Sequence, residues 1–316
     1  MSGIITLGEA LIDFIPLDSD NVTYQKSPGG APANVAVALA KLGVKSSFLG
    51  KVGEDVLGSF LKETLESHGV DTTHMLMTSQ ARTGVVFVTL DITGERHFSF
   101  YIDPSADRFL TMEDIDSTLF STNNILHFGS ISMISEPSKT ATVEAVKLAK
   151  KNNLMVSYDP NLRLGLWPSK EQARETILSM MSEADVVKIS DEELVFLTGE
   201  TELEKGLKKL AKYQIPALLV TYGGAGSYVH VGNQTIHVPA MKIQTVDTTG
   251  AGDAFVSGIL YHLNEVESLD HVTIERWKEI ITFASVSGAL AASTHGAMTA
   301  LPNLADVLAK LEQQTT

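Results

Sequence analysis

The chain has 316 residues and no cysteine, with 38 acidic against 24 basic residues and a net charge of −14. The missing cysteines exclude disulfides, thiolate metal sites and thiol nucleophiles. The acidic balance argues against nucleic acid or an anionic membrane as partner, because such binding needs clustered Lys and Arg. No run approaches the roughly 18 apolar residues of a membrane helix, and no basic segment precedes an apolar stretch at the N-terminus. A soluble, cytoplasmic protein is therefore expected, in keeping with a reducing compartment.

Short apolar runs rich in branched residues, at 4–7, 46–51, 125–128, 155–158, 186–189 and 217–221, predict strands. Helical spacing lies between them at 33–42, 58–68, 138–152, 170–181 and 204–213. Strand followed by helix in that rhythm predicts an α/β fold, a mainly parallel sheet with helices on both faces. No linker of biased composition divides the chain and no repeat occurs, so one unit spanning 1–316 is expected. Two stretches, 13–28 and 82–107, lack helical periodicity and alternate like exposed strands. Within the second, Asp91-Ile92-Thr93-Gly94-Glu95 predicts a hairpin turn. The residues alone fit either a small sheet standing off the core or an antiparallel edge of the main one.

Chemistry concentrates in Asp247-Thr248-Thr249-Gly250-Ala251-Gly252-Asp253, between a strand-like run at 243–246 and a helical stretch at 254–263. A Gly-x-Gly turn at a helix N-terminus leaves N–H groups unpaired and clears the approach of a phosphate. Asp253, next in line, is either a helix cap or a carboxylate placed beside an anion hole, as phosphoryl transfer to a hydroxyl requires. Gly-x-x-x-x-Gly-Lys-Ser/Thr and Gly-x-Gly-x-x-Gly are both missing, which excludes a P-loop nucleotidase and weakens a dehydrogenase reading. A second motif, Gly29-Gly30-Ala31-Pro32-Ala33-Asn34, leads into an alanine-rich helix that ends near Gly43. Asp159-Pro160-Asn161-Leu162-Arg163 follows a predicted strand, where parallel sheets form ligand crevices.

Gly-Gly-x-x-x-Asn early and Asp-Thr-x-Gly-Ala-Gly-Asp late resemble the paired signatures of the ribokinase-like (phosphofructokinase B) carbohydrate kinases. The resemblance runs from Gly8 to Leu301. It implies a Rossmann-like core with a β-sheet lid made from the two irregular stretches. It implies further that Asp253 is the general base and that Gly250, Ala251 and Gly252 form the anion hole, with Arg163 beside them. Asp13, Gly29, Gly30, Asn34, Asp107, Asn161 and Arg163 correspond to sugar-binding positions. Lys188, Ser190, Thr221, Gly223, Gly226, Gly252 and Ser285 correspond to the ATP site. Glu193, in a run similar to the family's Asn-x-x-Glu element with Ser190 in place of Asn, implies Mg²⁺ held through water. Asp247 and Thr249 match the place where some relatives bind a monovalent cation such as K⁺. A homodimer through the lid is implied as well. Asp103-Pro104-Ser105-Ala106-Asp107 after Phe100-Tyr101 is similar to the fructokinase pattern. Ribokinase, ketodeoxygluconate kinase and nucleoside kinase stay open as alternatives, as does a non-catalytic sugar-binding protein of the same fold.

Overall fold

The computed structural model describes residues 3–92 and 96–314. In chain order come β1 (Gly3–Leu7), β2 (Leu11–Pro16), β3 (Tyr24–Gly29), α1 (Ala31–Lys41), β4 (Ser46–Gly53), α2 (Val56–Ser67), β5 (Met75–Thr78), β6 (Gly84–Leu90), β7 (Arg96–Phe100) and β8 (Asn123–Phe128). There follow α3 (Ser138–Lys151), β9 (Met155–Tyr158), α4 (Lys170–Ser179), β10 (Val186–Ser190), α5 (Asp191–Thr198), α6 (Leu203–Leu210) and β11 (Ala217–Thr221). The last elements are β12 (Ser227–Val231), β13 (Gln234–Val238), α7 (Ala251–Leu263), α8 (Ile274–Ala292) and α9 (Leu304–Gln314).

Nine strands form the main sheet in the order β13-β12-β11-β10-β9-β8-β1-β4-β5. Every pairing is parallel except β11 with β12 and β12 with β13. The central strands are apolar on both sides because helices cover both sides. Ile5, Leu7, Leu126, Phe128, Val187 and Ile189 join a core with α3, α4 and α5. Their neighbours Ile4, Ile125 and Val186 join the opposite core with α1, α7 and α8. A one-residue slip would exchange the two sets, so register is tightly specified.

A separate four-stranded sheet, β3-β2-β6-β7, comprises the two stretches that break the strand–helix rhythm. The lid expectation therefore holds, and the edge-strand alternative does not. Of the expected hairpin turn, Thr93, Gly94 and Glu95 lie outside the described residues. The strand-like run at 243–246 is not a strand. It passes beside the end of α8, where the Val246 and Asp247 N–H groups donate to the Ala292 carbonyl at 2.9 and 3.2 Å.

The site's position follows from strand order. From β1 the chain steps one way to β4 and the other way to β8, so the helices connecting the two halves diverge there. The crevice beyond the carboxyl ends of β1 and β8 is where ligands bind in such sheets. The lid stands over it.

Candidate active site

Two cavities meet at the start of α7. The first, about 390 Å³, is lined by Glu9, Asp13, Gly30, Asn34, Asp159, Asn161, Arg163, Lys188 and Asp253, with Val86, Phe98 and Phe100 from the lid. The second, about 240 Å³, is lined by Thr221, Gly223, Gly226, Ser285, Gly288 and neighbouring small or apolar residues. Thr248 and Gly252 belong to both walls.

The junction is built by backbone. Gly250 caps α7 at φ 77°, a left-handed conformation that favours glycine. The Ala251 N–H turns back to the Thr248 carbonyl at 3.2 Å. The N–H groups of Gly252 and Asp253 fall in the first turn, where a helix offers no carbonyl of its own. The macrodipole adds partial positive charge at the same end. Asp247 fixes the loop leading in: Oδ1 accepts the Thr249 N–H at 2.9 Å and hydroxyl at 2.7 Å, while Oδ2 accepts the Gly296 N–H at 3.1 Å.

Asp253 is 8% exposed on the wall of the first cavity. Asn34 Nδ2 donates to its Oδ2 at 2.8 Å, while Asn34 Oδ1 is buried with no protein partner. Burial pushes the Asp253 carboxyl up to about 6; the Asn34 bond, Lys188 and Arg163 pull against it, and Asp159 pushes with it. It is thus a stronger base than a free aspartate while remaining mostly ionised at neutral pH. Half-buried Asp13 is raised to about 7 by burial, with Arg163 opposing and Asp253 assisting. Gly29 is off the wall: a Cβ there would fall 2.2 Å from Asp13 Oδ2, so its role is to let that carboxylate sit where it does.

Lys188 Nζ pairs with Asp159 Oδ2 at 3.0 Å. Burial lowers its pKa, but Asp159, Glu193 and Asp253 more than offset that and hold the ammonium above its ordinary value. The same Nζ would lie 3.6 Å from a Cβ on Gly252, which puts the cation against the glycine turn. Beside it, a cleft of about 300 Å³ is lined by Asn161, Arg163, Lys188, Ser190 and Glu193. Ser190 lies on this cleft rather than in the second cavity, and caps α5. Its hydroxyl accepts the Glu193 N–H at 3.1 Å, and Glu193 Oε2 accepts the Ser190 N–H at 2.8 Å. Glu193 Oε1 also accepts the Leu162 N–H at 2.7 Å, tying α5 to the loop that carries Arg163. Asp107 is buried behind the wall of the first cavity, where it accepts the Ser105 hydroxyl.

Residues 1–304 match the model of the pfkB family of carbohydrate kinases. The chain belongs to that family. As such a kinase it resembles fructokinase-1 from Zea mays, 42% identical with 98% of each chain covered. A probable chloroplastic fructokinase-6 from Arabidopsis thaliana is 46% identical, covering 95% of this chain and 79% of the relative. Among solved structures, a fructokinase from Xylella fastidiosa with bound ATP superposes with TM-score 0.94 at 35% identity, 99% of each chain covered. A fructokinase from Vibrio cholerae O395 in a form with fructose, ADP and potassium gives 0.90 at 42% identity, 98% of each covered.

Several wall residues of this kinase are absent from the sequence expectations: Glu9, Thr248, Phe98, Phe100 and, as a site residue in its own right, Asp159. Gly8-Glu9 at the end of a strand was the available signal for the first, since parallel strands present ligands at their carboxyl ends. No described helix is long and apolar enough to cross a membrane. Among the described residues, no cluster of three or more His, Asp or Glu is arranged to hold a metal.

Proposed function

We propose that the protein is an ATP-dependent fructokinase that transfers the γ-phosphate to the 6-hydroxyl of fructose. The observation that carries this is the placing of Asp253: a buried carboxylate on the first cavity, one residue from the glycine turn shared with the second. Fructose occupies the first cavity and ATP the second, with the triphosphate reaching the α7 N-terminus and Lys188. In a loose transition state the hydroxyl gives up its proton late, so Asp253 needs only to accept it as the new P–O bond forms. Positioning by Asp13, Asn34 and Asn161 supplies much of the rest.

The sugar's charge class follows from the wall. Asp13, Asp159 and Asp253 are acidic, Lys188 is engaged by Asp159, and Arg163 is the arginine that remains. A neutral ketohexose suits that wall, whereas ketodeoxygluconate brings a carboxylate that wants added cations. A panel of fructose, tagatose, ribose and ketodeoxygluconate tests it. Fructose should exceed ketodeoxygluconate in kcat/KM by at least about 10². A reversed ratio overturns the fructose assignment and leaves the roles of Asp253 and the glycine turn standing.

With no ready-made carboxylate cage, Mg²⁺ would arrive on the nucleotide, with Glu193 holding it through water; it would neutralise phosphate charge. The loop that Asp247 holds through Thr249 and Gly296 is where a monovalent cation such as K⁺ would bind; the Vibrio relative was solved in a potassium-bound form. The lid's outer face carries an aromatic cluster: Phe14 stacks on Phe87 at 4.9 Å, and Tyr24 and Tyr101 meet Phe87 edge-on at 5.2 and 4.9 Å. That face is where a second copy would dock to make a homodimer. A cytoplasmic setting fits the cysteine-free chain.

A further inference from the structure

Glu9 lies two residues beyond the end of β1, at the switch point, and lines the first cavity while only 3% exposed. Its Oε1 accepts the Ala31 N–H at 3.1 Å, at the start of α1. The carboxyl also accepts the N–H of Glu9 itself. Behind it lies Asp107, in the turn after β7, itself only 7% exposed. Both carboxyl groups are thus desolvated, and Asp107 disfavours charge on Glu9.

The cations nearby are poorly placed to relieve this. Arg163, from the loop after β9, is the one that acts on Glu9, and it is exposed. Arg108 lowers the neighbouring Asp107 carboxyl by its charge, while its guanidinium reaches the Ser135 hydroxyl at 3.4 Å and Asp103 at 3.9 Å rather than Glu9. Across the cavity stand Asp13 from β2, Asp159 after β9 and Asp253 from α7, and Lys188 of β10 is held by Asp159. Burial, with Asp107 adding to it against the backbone bonds and Arg163, pushes the Glu9 carboxyl up to about 8.

We propose that Glu9 works as a neutral carboxylic acid, donating its O–H to an oxygen of the bound sugar. This rests on the first cavity being the sugar site. Amides and hydroxyls on that wall can donate too, but among the carboxyl groups there only one that keeps its proton can do so. A site built on such a donor is sensitive to alkali. Ionised Glu9 has no proton to donate to that oxygen, and binding in the same geometry would have to restore it.

The test is calorimetry of fructose binding in buffers of differing ionisation enthalpy. At pH 9, where Asp13 and Asp253 are both ionised, the wild type should take up a proton on binding, approaching one per sugar. Above pH 8 the Kd should weaken by up to about tenfold per pH unit. Glu9→Gln keeps a donor that cannot ionise, so both the uptake and the alkaline weakening should vanish. Glu9→Ala, with no donor, should bind fructose at pH 7 about tenfold more weakly than Glu9→Gln. Uptake that persists in Glu9→Gln, or none in the wild type, overturns the proposal. The proton is also read without sugar: an infrared difference spectrum, wild type minus Glu9→Gln, should show a protonated-carboxyl band at pH 6.5 that fades by pH 9.5. Absence of that band overturns the proposal whatever the sugar. A band that is present while fructose binds at no pH defeats the fructose assignment instead.

Discussion

Asn34 Nδ2 and Asp253 Oδ2, 219 positions apart in sequence, meet at 2.8 Å inside the protein. The bond joins the first turn of α1 to the first turn of α7, and so couples the two motifs that name the family. Because the amide donates to the ionised form of Asp253, it lowers a pKa that burial raises. The same side chain then has one oxygen left for a sugar hydroxyl.

Asp253→Asn should keep the fold and nucleotide binding while lowering kcat by about 10²–10⁴, the usual worth of a general base. A coupled assay gives the rate, and thermal melting with and without an ATP analogue gives the controls. Near-wild-type turnover in the purified variant would remove Asp253 from the base role.

The pH profile carries a sign. As the proposed base, Asp253 would work deprotonated, and burial raises its carboxyl to about 6, so kcat/KM should fall on the acid side with a midpoint near there. Asn34→Ala removes a bond that favours the ionised form, so its midpoint should move to higher pH. Losing a sugar contact lowers the height of the curve, and the midpoint is the quantity to read. An unmoved midpoint would mean that the bond does not tune the base.

Lys188→Met should separate stability from chemistry. It leaves Asp159 buried without its cation, and breaking a buried pair from one side costs about 3–5 kcal/mol. Adding Asp159→Asn should recover much of that in urea unfolding, because no charge is then stranded. Turnover should stay low in both variants if the ammonium serves the phosphates at the glycine turn. Full recovery of kcat in the double variant would make Lys188 purely structural.

The core strands and the α7 turn were legible because each rests on local chemistry: unbroken apolar runs for strands buried on both faces, and paired glycines before an acid for the turn. The run at 243–246 has the same branched, apolar look as a strand, yet it lies along α8. Hydrophobic pattern reports burial and cannot say which partner provides it. The β12–β13 hairpin went unread because its outer positions, among them Gln234, Thr235 and His237, dilute the apolar signal. Glu9 and Asp107 are illegible as a pair, since they come near each other only once the segment after the lid has packed against the end of β1. Ser190 and Glu193 show the opposite limit. Their spacing is that of a capping box, and the structure has them capping α5 on the wall of a cleft, so one motif serves the helix and the site together.

The lid yields the last prediction, because neighbouring residues on β7 and just beyond it point opposite ways. Phe98 and Phe100 line the sugar cavity with Val86 of β6, whereas Tyr101 sits with Phe87 and Phe14 on the outer face and is 69% exposed. Closure of the lid over a sugar would exclude water and complete the site, so ATP hydrolysis without sugar should run at least ~10²-fold below sugar phosphorylation. Phe100→Ala opens the inner wall. It should raise the sugar KM and narrow that ratio by letting water reach the phosphate. Tyr101→Glu leaves the cavity wall intact and places a charge in the face offered to a second copy. Light scattering should then report a monomer mass for the variant and a dimer mass for the wild type, with the ratio of hydrolysis to transfer little changed. If Tyr101→Glu leaked water while Phe100→Ala changed the mass, the two faces of the lid would have been assigned the wrong way round. A wild type at the monomer mass would remove the dimer while leaving the inner face to be judged by the hydrolysis ratio alone.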